Sequence, residues 1–536
     1  MLMWTVMAVT CGMRLLQSPC GATSFPSAVA ILKPDGMRTG IRAHGKSTAA
    51  QTRSLRTLPV QRVSNIHHSL QFADISTTLK SVSRSNKRQR QGNTVRATFD
   101  ADLSEQVSGQ GKDLKPVQVA LAGAALVGLD KGIALALSRW GALPAALRNL
   151  PSSTVCMLLV TAALIAIDRA DPSIAKSTTK FFEPAVEIIQ RWMPLFYTPA
   201  LVMMSVVGQR IVPEEGVRLL VLVVGGWVVT LGAVALFAGL VKKGVQTDLV
   251  TSSNMSSASP YSLWEVLTWA GVGAASGLVA YLAPNAFGLH QATVAAPFFI
   301  CATVIGFLLG SQVPKPFKKI LHPVITAAVF VNVITFLAGA FTNRSFETML
   351  GLYMTKSMQT PGGGDILMAL LGPLTLTYAF TLFRQRSMLR HHAAEFGAVV
   401  PVAAIFSILI TMIAGRQLGL HEFLTRSVAA RSTTLAFAIP VTNTIGGDES
   451  IAATAAVVTG LLGANLSLWV LSTLKVQGGI ERALATACSA HGFGSAAVAS
   501  GDADIMPFCL VTYILMGAVS SLAVSIPVIR TSLLQL

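Results

Sequence analysis

Residues 217–241 read VRLLVLVVGGWVVTLGAVALFAGLV, and apart from Arg218 near the start this run of 25 residues carries no charge. An α-helix rises 1.5 Å per residue, so about 20 apolar residues cross a hydrocarbon core of about 30 Å, and a helix satisfies its own backbone groups there. The run is read as a transmembrane helix. Comparable runs lie at about 116–138, 151–168, 192–210, 263–283, 293–312, 321–341, 365–384, 395–415, 450–474, 482–502 and 507–530, which brings the expected number to about twelve. The 536-residue chain agrees as a whole, because 52% of it is hydrophobic and only 12% charged, against about 25% charged in soluble proteins. Its mean hydropathy is +0.60. The fold class is an all-α polytopic membrane protein.

A net charge of +17 would suit a nucleic-acid binder if it were spread over a folded surface. It is not. Residues 1–98 hold fourteen Lys or Arg against Asp35 and Asp74, and the first cluster of acids, Asp100, Asp102 and Glu105, follows directly. A basic, acid-poor segment rich in Ser and Thr has the composition of an organellar transit peptide. The Val95-Arg96-Ala97 tripeptide resembles a stromal processing site, so the mature chain is expected to begin near Thr98, with 99–115 as a stromal segment. The six cysteines show no Cys-x-x-Cys spacing, so neither a disulfide framework nor a metal site is expected, and no cofactor.

The polar stretch 242–262 reads as a linker between a smaller membrane unit, 116–241, and a larger one, 263–536. Lys242, Lys243, Lys315, Lys318, Lys319, Arg384, Arg386 and Arg390 all fall in loops on one side. By the positive-inside rule that side faces the stroma, and twelve spans would leave both termini there. Arg426 to Glu449 fits no simple span. It mixes an apolar centre, 435–441, with Arg431, Thr433, Thr434, Pro440, Asn443 and the Gly446-Gly447 pair, which predicts a broken or re-entrant helix. A second Gly-Gly-Asp, at 363–365, precedes another apolar run and hints at two related halves. Asp365 and Asp448 are expected to cap the helices that follow them.

The runs IERALATACSAHGFGSAA (480–497) and AVVTGLLGAN (456–465) resemble the signature of the LrgB (CidB) family. The unit at 116–241, with PLFYTPA at 194–200 and Gly208, resembles the LrgA (CidA) family. Their fusion behind a transit peptide is similar to the plastidial glycolate/glycerate translocator family, and Leu371-Gly372-Pro373, FTLFRQR (380–386) and His392-Ala393-Ala394-Glu395 strengthen the match. The resemblance implies a multi-pass transporter of the chloroplast inner envelope that exchanges glycolate and glycerate in photorespiratory carbon recycling, with or without proton coupling. It also implies small organic acids and membrane lipid as partners, leaves homo-oligomers open, and gives no role to nucleic acid. Two alternatives stay open: a holin- or antiholin-like pore or regulator, and a carrier of another monocarboxylate such as pyruvate. Enzyme motifs are missing: the sequence holds no H-E-x-x-H, no G-x-S-x-G and no P-loop.

For such an anion the protein must replace a hydration shell with donors. Interrupted helices offer free amide groups and a positive dipole end, and Gly446-Gly447 before one helix and an expected kink at His491-Gly492-Phe493-Gly494-Ser495 in another have that chemistry. The candidate substrate-binding residues are Thr433, Thr434, Arg431, Gly446, Gly447, Asn465, Ser489, His491, Gly492, Gly494 and Ser495. Each has a plainer role beside it. Arg431 can snorkel, Asn465 and His491 can tie helices together, and Ser489 and Ser495, like Gly460 and Gly463, can serve close packing.

Overall fold

The computed structural model describes residues 116–139, 150–245, 247, 261, 263–318, 320–499 and 505–535. The expected transit peptide (1–98), the segment 99–115 and most of the linker lie outside the described residues. All regular elements among them are helical, and they belong to one compact unit. In chain order the main helices are α1 (Pro116–Arg139), α2 (Ser152–Ala170), α3 (Pro172–Arg191), α4 (Met193–Val207), α5 (Pro213–Gly244), α6 (Leu263–Leu282), α7 (Gln291–Gln312) and α8 (Pro323–Thr342). There follow α9 (Phe346–Tyr353), α10 (Gly363–Ala369), α11 (Leu371–Arg384), α12 (Ala393–Gln417), α13 (Glu422–Val428), α14 (Leu435–Ile445), α15 (Glu449–Thr473), α16 (Gly479–Ala499), α17 (Met506–Ser525) and α18 (Pro527–Gln535).

The opening stretch becomes most of α5. Its buried positions, among them Leu219, Leu222, Val223, Gly226, Trp227, Thr230, Leu231, Val234 and Ala238, recur every three or four residues. Val217, Val221, Val228, Leu236 and Leu240 are exposed on the other side. Both faces are apolar, as expected of a helix with protein on one side and lipid on the other. By contrast α3, which was not expected, is amphipathic. Asp171 caps it through Ser173 N at 2.8 Å, and its Glu183 pairs with Arg384 at 2.9 Å. It lies at the end of the bundle that carries the basic loops.

End-to-end contacts fix the topology of the last third. Thr247, beyond α5, bonds Glu395 near the start of α12, and Phe508 at the start of α17 packs on His392 and Phe396. These ends share the basic face. Ile505 also lies against Gly479, so α16 returns to the face it left. It is a hairpin, because His491 inside it has φ 44° and ψ −145°, which no continuous helix accommodates. The expected span 482–502 is thus corrected to a re-entrant segment.

The irregular stretch 426–449 is interrupted as expected. After α12 the chain forms α13, turns through residues 429–434, and returns as α14. Gly447 then abuts Ser427, whose hydroxyl accepts from Asp448 N at 2.8 Å, and Lys356 pairs with Glu449 at 3.6 Å on the same, opposite face. Two hairpins therefore enter from opposite ends. Ten helical segments are long and apolar enough to cross a membrane, α10 and α11 counting as one segment, and the shorter α4 fills the place expected at 192–210. That gives eleven crossings among the described residues. An odd number puts Pro116 and Gln535, the ends of the described residues, on opposite faces, and Arg416 Nη1 bonding Gln535 O at 2.9 Å places the C-terminal end on the face opposite the basic loops. The expectation that the C-terminus lies on the basic side is corrected for this reason, while the N-terminus lies outside the described residues.

The second hairpin seats on α15 through small residues. A Cβ on Gly463 would sit 2.1 Å from the Ala490 Cβ. Gly463→Ala is expected to lower stability by about 1–3 kcal/mol, the usual penalty of overpacking, read as a lower melting temperature in detergent.

Candidate functional site

The first hairpin tip is held by short turns, with Arg431 N donating to Val428 O at 3.1 Å and Thr433 N to Ala430 O at 2.9 Å. Apolar flanks, Val428 to Ala430 and Leu435 to Ile439, drive it inward, and they carry Arg431 with them to complete burial. Among the described residues its guanidinium hydrogen-bonds only to hydroxyls. Nη1 reaches Ser432 Oγ at 3.2 Å and Ser407 Oγ at 3.4 Å, Nη2 reaches Thr230 Oγ1 at 3.4 Å, and Nε has no partner among the described residues. These bonds are long for a cation, and no carboxylate pairs with it among the described residues. An uncompensated buried charge is costly, and an anion placed here would offset that cost.

Beside it, Thr433 Oγ1 lies 3.5 Å from Ser520 Oγ on α17, and Thr434 faces the Tyr378 hydroxyl. Tyr378 stacks on Phe437 at 5.9 Å and meets Tyr513 edge-on at 6.4 Å. A Cβ on Gly492 would lie 3.7 Å from the Tyr513 ring. Tyr378 and Tyr513 therefore bridge the two hairpin tips.

At the second tip the His491 ring bonds Ala456 O on α15 at 2.9 Å and packs on Phe493 at 5.4 Å. Phe493 in turn rests on His322 at 4.3 Å, near the basic face. Ser495 Oγ donates to His491 O at 2.7 Å, and Ser489 Oγ to Thr486 O at 3.4 Å. Gly494 allows the returning helical limb of the hairpin to lie on Ala490 and Gly463. These residues shape and anchor the tip.

Gly446, Gly447 and Asn465 stand apart from both. Gly446 adopts φ 78° to end α14, and Gly447 N donates to Thr442 O at 3.0 Å. Asp448 then caps α15 by accepting from Ser450 N and Ile451 N, so its carboxylate fills the helix end that a substrate anion would otherwise use. Asp365 is not a cap of the expected kind. It sits three residues inside α10 and gathers Thr355 N, Lys356 N and Gly362 N, at 2.8–2.9 Å. Asn465 turns outward and bonds Leu461 O at 2.8 Å.

Thr230, Ser407, Ser432, Ser520 and Tyr378 were missed. A hydroxyl in an apolar helix usually returns its proton to its own backbone, as Thr230 does with Gly226 O at 2.7 Å, and sequence does not show which of them also faces a charge. The Gly225-Gly226 pair inside a long apolar run was the available signal, since a mid-helix glycine marks a close approach.

Residues 303–529 match the model of the LrgB-like family. Over 385 residues, 72% of this chain and 75% of the relative, the sequence is 37% identical to plastidal glycolate/glycerate translocator 1, chloroplastic, of Arabidopsis thaliana. It is 24% identical over 208 residues, 38% of this chain and 84% of the relative, to the antiholin-like protein LrgB of Bacillus cereus, and by the same measures to a Bacillus anthracis counterpart. No solved structure matches.

Proposed function

Because this chain belongs to the family of the plastidal glycolate/glycerate translocators, we propose that it is a membrane transporter of plastids, resident in the chloroplast inner envelope, that exchanges glycolate and glycerate without catalysing a reaction. The observation that carries this reading is the Arg431 guanidinium, fully buried and, among the described residues, hydrogen-bonded only to hydroxyls. One positive charge suits one monoanion. A carboxylate accepts two parallel N–H bonds from a guanidinium, and the α-hydroxyl then pairs with the hydroxyls of the same tip. Thr433 and Thr434 are the nearest further donors on the same tip, and the second tip, anchored by His491, forms the opposing side.

Arg431, Ser432 and Thr433 are no more than 1% exposed, so the site is closed to both faces and one hairpin must move before an anion enters. Such gating separates a carrier from an open pore. Exchange of like charges needs no coupling ion, and proton movement would accompany net uptake only.

The test is counterflow in liposomes holding the pure protein. Preloaded unlabelled glycerate is expected to accelerate uptake of labelled glycolate. Uptake that ignores the preload, as through a pore, sinks the proposal. A site built around a hydroxyl also discriminates strongly against analogues lacking it, so pyruvate is expected to compete poorly.

A further inference from the structure

We propose that α5, from the N-terminal unit, forms one wall of the anion site, with Thr230 as the residue that aims the Arg431 guanidinium. The inference rests on the reading that Arg431 receives the substrate anion, and goes beyond it by making the two units share one site. Two observations on α5 carry it. The first is Gly226, where a Cβ would stand 2.2 Å from Arg431 Nη2 and 2.8 Å from Cζ, so the guanidinium lies flat against bare backbone. Any side chain there would push it off.

The second is the hydroxyl of Thr230, one helical turn further on. Its proton goes to Gly226 O at 2.7 Å, which leaves an oxygen lone pair as a fixed acceptor for Nη2 at 3.4 Å. Thr230 itself is fully buried. A β-branched residue in a helix is stiff at χ1, so this acceptor does not wander. Ser407 on α12 and Ser432 on the tip hold the other terminal nitrogen, at 3.4 and 3.2 Å. The planar fork is thus set by three elements, of which only α5 comes from the N-terminal unit. The same helix packs along α12, α15 and α16, so the second hairpin also closes against it. A C-terminal unit without α5 would present Arg431 to an open side.

Thr230→Val keeps shape and removes the acceptor, and Thr230→Ser restores it. Both are made in the full chain, reconstituted in liposomes, and assayed for labelled glycolate uptake against glycerate inside, with Arg431→Gln alongside. In Thr230→Val the half-saturation concentration is expected to rise about 10-fold with the maximal rate nearly held, as for loss of one hydrogen bond to a charged group. Thr230→Ser should return it to within about threefold of the parent. A role in packing alone would predict the reverse, with abundance or rate falling in both variants and half-saturation unmoved. Parental half-saturation in Thr230→Val, or a serine variant no better than the valine one, overturns the inference while leaving exchange intact. Absent counterflow in the parent, or full activity in Arg431→Gln, removes the functional reading itself and this inference with it.

Discussion

Arg431→Gln is expected to reduce glycolate–glycerate exchange about 100-fold while leaving the folded protein as abundant as the parent, or more stable. The size follows from removing one partner of a buried charge pair, which costs about 2–5 kcal/mol, at about 1.4 kcal/mol for each tenfold. The opposite sign on stability follows from the unloaded site. There the guanidinium has three long hydroxyl contacts, an unpartnered Nε and no carboxylate among the described residues, so its burial is poorly compensated. Glutamine keeps hydrogen-bonding capacity and discards the charge. Counterflow and detergent melting curves on the same preparation read both effects. Loss of stability together with retained exchange would make Arg431 a structural residue.

The second large effect is at His491. His491→Ala loses the bond to Ala456 O while the backbone strain at φ 44°, which histidine also bears, is left without that compensation, and exchange is expected to fall to about one tenth of the parental rate, given about 1.5 kcal/mol for the bond. His491→Gly separates the two contributions. Glycine adopts positive φ without penalty, so this variant should melt near the parent, yet exchange should remain low because the ring no longer ties the tip to α15. Parental exchange in His491→Gly would reduce the ring to packing.

Much of the architecture was legible in the sequence. Long uncharged runs admit one structure in lipid, and the alternation of basic loops gave the faces of the bundle correctly through α12. The interruption at 426–449 was legible as well, since Pro440, Gly446-Gly447 and a buried-looking Arg431 break the apolar pattern. The second interruption was legible as a kink at His491-Gly492-Phe493-Gly494-Ser495, but not as a reversal. Residues 480–499 are small and apolar enough to pass as a kinked span, and the full reversal rests on one residue's backbone, His491 at φ 44°. That single misreading shifted the crossing number by one and moved the C-terminus to the other face. The amphipathic α3 escaped notice because its charges, Lys176, Lys180, Glu183 and Glu187, remove it from any search for uniform apolar length.

Of the proposed site, the sequence supplied Arg431, Thr433, Thr434 and His491, because polar residues inside apolar segments are costly and stand out. It also supplied Gly446 and Gly447, which the structure places in a helix end already capped by Asp448. What sequence by itself determined is the solvent of each segment: how many residues can cross lipid, and where charge prevents it. Only the tertiary structure decided which neighbours meet. Gly226 and Thr230 lie in the first stretch read, and nothing local distinguishes them from packing residues. Their proximity to a cation 201 residues away in sequence exists only once α5 and the first hairpin share a core.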